Sequence, residues 1–394
     1  MGVEERLRKS RERVSLNQGQ AARAVGVPRE LVSMWEGGSR NPNVKQVENL
    51  ASLYGVSAEY LLGQAELEEG HEKQVIFRGL EESPEAMVKI RRWLDFLDDW
   101  AELLEDLGME DRLTGPGKPR RALDEGYVTD ARRAPKLAAR AREEYGLGRD
   151  AIPSLYAFLD NEGILVYRAS LGPLGLDGGG ISGAFFNHPR LGYCILVNED
   201  TTLGRQAFTL AHEFAHALHH YPSGGIVCRR VESGAPEERF ANAFAAHFLV
   251  PGKELRGMVA HGGGEVDAYE ALRLASYFRV SYATLLNRLR EERLIERERF
   301  EDLSGYSPRR MAQRHGLDSG VFEVPEPDAL HFERYPISVV EVVVEALEGD
   351  ELTVAQAADV LDVGVDVLQE YVRWIVSPPE ADEEERREFE ELPF

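Results

Sequence analysis

A chain of 394 residues with 43% hydrophobic content is long enough for two or three domains with substantial cores. No run approaches the roughly 20 apolar residues that span a bilayer, and the charged stretch Met1 to Arg13 has no apolar signal region, so the expectation is a cytoplasmic protein. The net charge of -23 argues against the whole molecule being a non-specific nucleic-acid binder. The acid is concentrated around residues 66–111 and after Pro379, while residues 1–65 carry a slight excess of Lys and Arg, so a local DNA-reading surface survives. Cys194 and Cys228 form no metal or redox spacing, and no disulfide is expected between them.

Residues 3–62 read as five short helices. Gln18 to Val25 forms the first helix of a helix-turn-helix, Gly26-Val27 the turn, and Pro28 to Trp35 the recognition helix, with Pro28 suited to its first turn. Leu31, Val32 and Trp35 pack inward, which turns Arg29, Glu30, Ser33 and Met34 toward a major groove. Gln18, Arg40 and Asn41 are placed for backbone contacts. The runs Leu16-Asn-Gln-Gly-Gln-Ala-Ala-Arg-Ala-Val-Gly-Val27 and Trp35-Glu-Gly-Gly-Ser-Arg-Asn-Pro42 resemble the Cro/phage-repressor (XRE-type) helix-turn-helix family. Gly19 departs from it, at about 1 kcal/mol of helix propensity.

Residues 70–113 contain a long amphipathic helix. Ile90, Trp93, Leu94, Leu97, Trp100, Leu104 and Leu107 recur at three- and four-residue steps. Such a stripe packs on a neighbouring domain or on a second copy of the chain. Thr114 to Pro119 breaks the pattern as a linker.

Residues 133–300 read as α+β. Helices at Ala134 to Tyr145 and after Pro153 precede a strand, Gly163 to Arg168. Gly172 to Gly180 is a flexible loop without the Lys-Ser/Thr ending of a phosphate loop. Strands at Ile181–Phe186 and Tyr193–Val197 flank a turn at Asn187 to Arg190, and the first could offer its edge to an extended peptide. Helices follow at about 202–220, at 236–249 up to Pro251, and as a pair over 266–297.

The first of these helices carries His212-Glu213-Phe214-Ala215-His216. Two histidines four residues apart share one helix face and can hold one divalent metal. Glu213 is then placed as general base toward water activated by that metal. A third ligand comes from Glu237 or Glu238. Glu237 falls near the stripe of Phe240, Phe244 and Phe248. Glu238 falls with Ala241, Asn242, Ala245 and Leu249, where small residues leave room for a metal, and is preferred. Asn242, one turn on, is placed to orient a ligand histidine. Zinc is the default for two His and one Glu, and manganese could load the same donors. His219 and His220 continue the helix and are read as exposed, or near the cleft, without a role; His247 lies at the margin of its helix's buried arc.

These motifs, with Arg205-Gln-Ala-Phe-Thr-Leu-Ala211 before them, Glu238 to Pro251 after them and Val280 to Leu289 beyond, resemble the ImmA/IrrE family of metallopeptidases over roughly 135–295. The resemblance implies a zincin with a Glu third ligand, of a kind that cleaves helix-turn-helix repressors. The fold expected is multidomain: an all-α helix-turn-helix domain at 1–66, a helical linker at 67–132, an α+β zincin-like metallopeptidase domain at 133–300 and a helical C-terminal region at 301–394 with a disordered acidic tail. Within that last region Leu352 to Val372 repeats a helix, Gly turn, helix pattern, too acidic for DNA.

The function expected is a DNA-binding transcription regulator, dimeric on a double-stranded operator, with zinc-dependent endopeptidase activity. It would cut a repressor, an antitoxin or itself in a stress response. The alternatives are a non-proteolytic regulator, or an antitoxin-type module, whose peptidase fold senses a signal or binds a partner. Glu213→Gln separates them, since only the protease loses a function.

Overall fold

The computed structural model describes residues 2–13, 16–54, 56–65, 75–76, 84–113, 126–174, 180–220, 225–229, 235–325 and 334–376. The linker read at 114–119, the centre of the glycine-rich loop and the acidic tail lie outside the described residues. The chain divides into two compact units, Met1–Glu326 and Pro327–Phe394.

The first unit opens with five helices: α1 (Val3–Arg13), α2 (Gln18–Ala24), α3 (Arg29–Glu36), α4 (Val44–Tyr54) and α5 (Ala58–Leu61). Asn17 begins α2 with a capping box: its side chain accepts the Gln20 N–H, and the Gln20 side chain accepts the N–H of Asn17. That supplies helix-start stability where Gly19 withholds it. The α2–α3 turn needs a left-handed residue, and Gly26 supplies it at φ 68°. Pro28 is the N-cap of α3 and not its first helical residue; its ring leaves no N–H to orphan there. Leu7, Leu16, Ala21, Val32, Trp35, Leu50, Leu53 and Leu61 are buried together as this domain's core.

After a two-residue strand, β1 (Val75–Ile76), comes α6 (Pro84–Asp106). Its stripe is consumed inside the chain: α6 packs against α2 and α4 and against the sheet beyond, burying Ile90, Trp93, Leu94, Leu97, Trp100 and Leu104. Each such side chain is worth roughly 1.5–3 kcal/mol. The stripe thus packs on neighbouring parts of the same chain, with Leu107 at its end half-buried.

The α+β region contains α7 (Ala134–Glu144), α8 (Leu155–Asn161), β2 (Leu165–Ala169), β3 (Ile181–His188), β4 (Gly192–Asn198), α9 (Leu203–His219), β5 (Gly225–Arg229) and α10 (Pro236–Leu249). Then follow α11 (Gly252–His261), α12 (Ala268–Tyr277), α13 (Tyr282–Glu291), α14 (Arg297–Ser304) and α15 (Pro308–His315). The five strands form one sheet in the order β1-β5-β3-β4-β2. This corrects one expectation. β3 is an inner strand, antiparallel to β4 on one side and to β5 on the other, so its backbone groups are already paired and it has no edge to offer a peptide. Helix α9 lies on β3 and β4, and α10 packs on α9 and α7. One core runs from Val128 through Phe214, Phe240, Phe244 and Phe248 to Leu303, Ala312 and Phe322.

The second unit contains α16 (Ile337–Glu348), α17 (Val354–Val360) and α18 (Val365–Val376). Thr353 and Gln356 form a second capping box at the start of α17. Val339, Val343, Ala357, Leu361 and Leu368 are buried. Among the described residues no helix is long and apolar enough to cross a membrane.

Candidate metal centre and DNA-reading face

Two turns of α9 and the first turn of α10 converge. His212 Nε2 lies 3.2 Å from Glu238 Oε2, and His216 Nε2 lies 3.5 Å from Glu238 Oε1. The two imidazole nitrogens are 3.1 Å apart. One donor atom from each of the three residues lies within 4.8 Å of the others. Helical spacing explains both halves of this geometry: a step of four stacks the histidines, and α10 carries Glu238 on the face it turns to α9.

The structure separates the two glutamates. Glu238 points both oxygens at the histidines, while Glu237 accepts a hydrogen bond from the Tyr127 hydroxyl at 2.8 Å. Asn242 Oδ1 sits 3.1 Å from His212 Nδ1. Glu213 is fully buried. Beneath it the sheet comes close: a Cβ on Gly183 of β3 would stand 2.8 Å from the Leu196 carbonyl oxygen, 2.9 Å from Thr209 Cγ2 and 3.7 Å from Glu213 Oε1. A glycine is needed there so that α9 can lie against the sheet.

His219 and His220 are not exposed; their relative exposures are 0% and 4%. Helix α9 ends under the segment 126–130, whose Val128 N–H donates to the His219 carbonyl at 3.3 Å. His220 Nε2 lies 2.7 Å from the Val128 carbonyl oxygen, and its Nδ1 lies 2.7 Å from His216 Nδ1. Sequence reasoning missed this pairing because Val128 is 92 residues away. The signal it could have used was the recurrence of a histidine four residues beyond His216. His219 packs its ring on Phe240 and Phe244, with centroids 5.1 and 5.5 Å away. His247 bonds Glu291 Oε1 at 3.0 Å, away from the cluster.

Charge in the cluster follows from this packing. Burial works against the Glu238 carboxylate, but the imidazoles of His212 and His216 packed against it outweigh that and hold the group well below the usual carboxylate range. Burial also works against a charged His212, yet the bond to Glu238 and the charges of Glu213 and Glu238 raise its pKa. His216 is pulled down to about 4, first by burial. His220 is lowered, again chiefly by burial. A carboxylate beside buried imidazoles is the donor set a borderline divalent cation such as zinc prefers.

In the helix-turn-helix domain, Arg29, Glu30, Ser33 and Met34 form one exposed face of α3, and Arg40 and Asn41 are exposed just beyond it. Leu31 is half-buried, while Val32 and Trp35 are fully inside. Among the buried residues that the sequence did not flag is Glu36. It takes a bidentate bond from Arg11, at 2.6 and 2.8 Å, and a third from Gln18 Nε2 at 2.9 Å. Gln18 thus spends one of its two amide hydrogens inside the domain.

Comparison with known proteins places both halves. Residues 160–290 match the IrrE N-terminal-like domain of the M78 peptidase family, and residues 5–61 match a helix-turn-helix domain. The chain joins an XRE-type helix-turn-helix domain to an IrrE N-terminal-like domain. It is also similar to the HTH-type transcriptional regulator ImmR of Bacillus subtilis (strain 168), 28% identical over 83 residues, which are 21% of this chain and 65% of that protein. The chain thus spans less than two thirds of that relative's length.

Proposed function

We propose that the protein is a DNA-binding transcription regulator with metal-dependent endopeptidase activity. The observation that carries this is the convergence of His212, His216 and Glu238 within 4.8 Å, beside a buried Glu213, in a chain that also bears a helix-turn-helix domain. A zinc ion held by these three residues would supply Lewis-acid polarisation of a carbonyl and acidify water at near-neutral pH; manganese is the alternative occupant. The donors fit it: two imidazole nitrogens and a carboxylate kept ionised, with Asn242 orienting His212.

Glu213 acts as general base, taking a proton from the attacking water and passing it to the leaving amine. Full burial strengthens its electrostatic influence on the reacting atoms. The substrate is a protein: a repressor, an antitoxin or this chain itself. Arg29, Glu30, Ser33 and Met34 read base edges of a double-stranded operator, and Gln18, Arg40 and Asn41 contact its phosphates. The relative named a transcriptional regulator supports the DNA-binding half.

A second reading rests on the same burial. With Glu213 and His216 at 0% exposure, the metal could be a sensor or a structural ion in a regulator that cuts nothing. The test uses three variants of the full chain. His212→Ala and Glu238→Ala should lose bound zinc, measured by elemental analysis, and Glu213→Gln should keep zinc and operator binding while losing cleavage. Zinc retained by both ligand variants contradicts the metal centre; unchanged behaviour of Glu213→Gln favours the sensor.

A further inference from the structure

We infer that His220 is a positioning residue for the metal centre, fixing His216 in the tautomer that leaves its Nε2 lone pair for the metal. This rests on the proposed metal site, and it concerns a residue to which the motif gives no role. Hydrogen-bond capacity decides the direction. A backbone carbonyl only accepts, so the 2.7 Å contact at Val128 requires a proton on His220 Nε2. A neutral imidazole then has a lone pair on Nδ1. That lone pair faces His216 Nδ1, also at 2.7 Å, so His216 must donate from Nδ1. Its other nitrogen, Nε2, is left as an acceptor, and this is the atom 3.5 Å from Glu238 Oε1.

The relay is enclosed. His216 is 0% and His220 4% exposed, so water does not compete for either contact. The His220 ring is held edge-on by Tyr127 and Phe240, with centroids at 5.4 and 5.5 Å. His212 is served in the same way by Asn242. The two metal-facing histidines thus each have a partner on the nitrogen that points away from the cluster, one a side-chain amide and the other a histidine anchored on the backbone. Partners of this kind orient a ligand ring, and losing one typically costs about 10–100-fold in metal affinity.

The experiment uses the full chain. Long-range proton–nitrogen NMR of the metal-free, 15N-histidine-labelled protein reads each tautomer directly. His216 should be protonated on Nδ1 and His220 on Nε2. Competition with a chromophoric chelator then measures zinc affinity for wild type, His220→Phe and His220→Gln. His220→Phe should bind zinc about 10–100-fold more weakly. His220→Gln, whose amide can both accept from His216 and donate to Val128, should recover most of that loss. His216 protonated on Nε2 in the wild type, or a folded His220→Phe that binds zinc as tightly as wild type, overturns the inference. Should His220→Phe fail to fold, the wild-type tautomers and His220→Gln decide alone. A wild type that binds no zinc contradicts the proposed function, while the tautomer spectrum still decides the relay.

Discussion

His219 and His220 are neighbours on α9 with opposite solutions to burial. His220 has both ring nitrogens engaged, by Val128 and His216. Neither ring nitrogen of His219 has a hydrogen-bond partner among the described residues. Burial lowers the His219 pKa to about 4. In the unfolded chain it titrates near about 6.5. Between those values the unfolded state binds a proton that the folded state refuses, so stability is full above about 6.5 and falls as pH drops toward 4. His219→Leu removes that proton linkage and the two orphaned nitrogens. Thermal melts of the metal-free protein should show this variant gaining about 1 kcal/mol more on wild type at pH 5.5 than at pH 7.5. An equal difference at both values would show that His219 does not titrate with folding. At this scale the sequence was informative where chemistry is local. The histidine pair declared itself by a spacing of four, and Glu238 was favoured over Glu237 by its place among small residues. The roles of Val128, Tyr127 and Glu36 depend on contacts between distant segments, which no spacing encodes.

Among the elements, helices were legible and short strands were not. α6, α9 and α10 each carry a long period of apolar residues, and the structure places helices over Pro84–Asp106, Leu203–His219 and Pro236–Leu249. β5 is five residues, Gly225–Arg229, and β1 is two, Val75–Ile76. β1 is too short to show any period, and β5 offers only three consecutive apolar residues, Ile226 to Cys228, whereas β2, of equal length, is set off by Gly163 and the apolar run from Ile164 to Tyr167. Missing β5 is what left β3 looking like an edge. The same inner strand carries the closest approach of sheet to helix. Gly183→Ala puts a methyl group 2.8 Å from the Leu196 carbonyl oxygen and 2.9 Å from Thr209 Cγ2, neither of which can retreat cheaply. Denaturant unfolding should show a loss of about 1–3 kcal/mol, together with weaker zinc binding as α9 is pushed off the sheet. A stability within a few tenths of wild type would mean the helix can shift without cost.

At the largest scale, the first unit is tied together by α6. Its apolar face packs on neighbouring parts of the same chain, one of the two roles the stripe suggests. Arg92 bonds Asn49 on α4, and Lys89 bonds the Ser170 carbonyl. Trp93 and Phe96 meet Tyr167 of β2 with centroids at 6.2 and 5.5 Å. At the far end His188, buried at the end of β3, accepts the Arg190 and Leu191 N–H groups on Nδ1 and donates from Nε2 to Asp98 at 2.9 Å. One helix thus packs on the helix-turn-helix domain and on the sheet of the α+β region. Trp93→Ala should cost about 3–5 kcal/mol on denaturant unfolding. It should also make helix-turn-helix amides exchange faster in hydrogen exchange, although Trp93 is remote from α3 in sequence. Loss of protection confined to β2 and α6 would show that the two domains are stable independently.

Whether the proposed metal centre cuts a protein is settled most directly by comparing protein N-termini across the native host's proteome, wild type against Glu213→Gln, with and without DNA damage. A new N-terminus that requires Glu213 is expected, and it would identify the substrate; a cut within residues 63–133 of this chain would make release of its own DNA-binding domain the regulatory event. Identical N-termini in every condition, from a protein that purifies with its metal bound, would contradict proteolysis and leave a regulator whose metal site senses or braces.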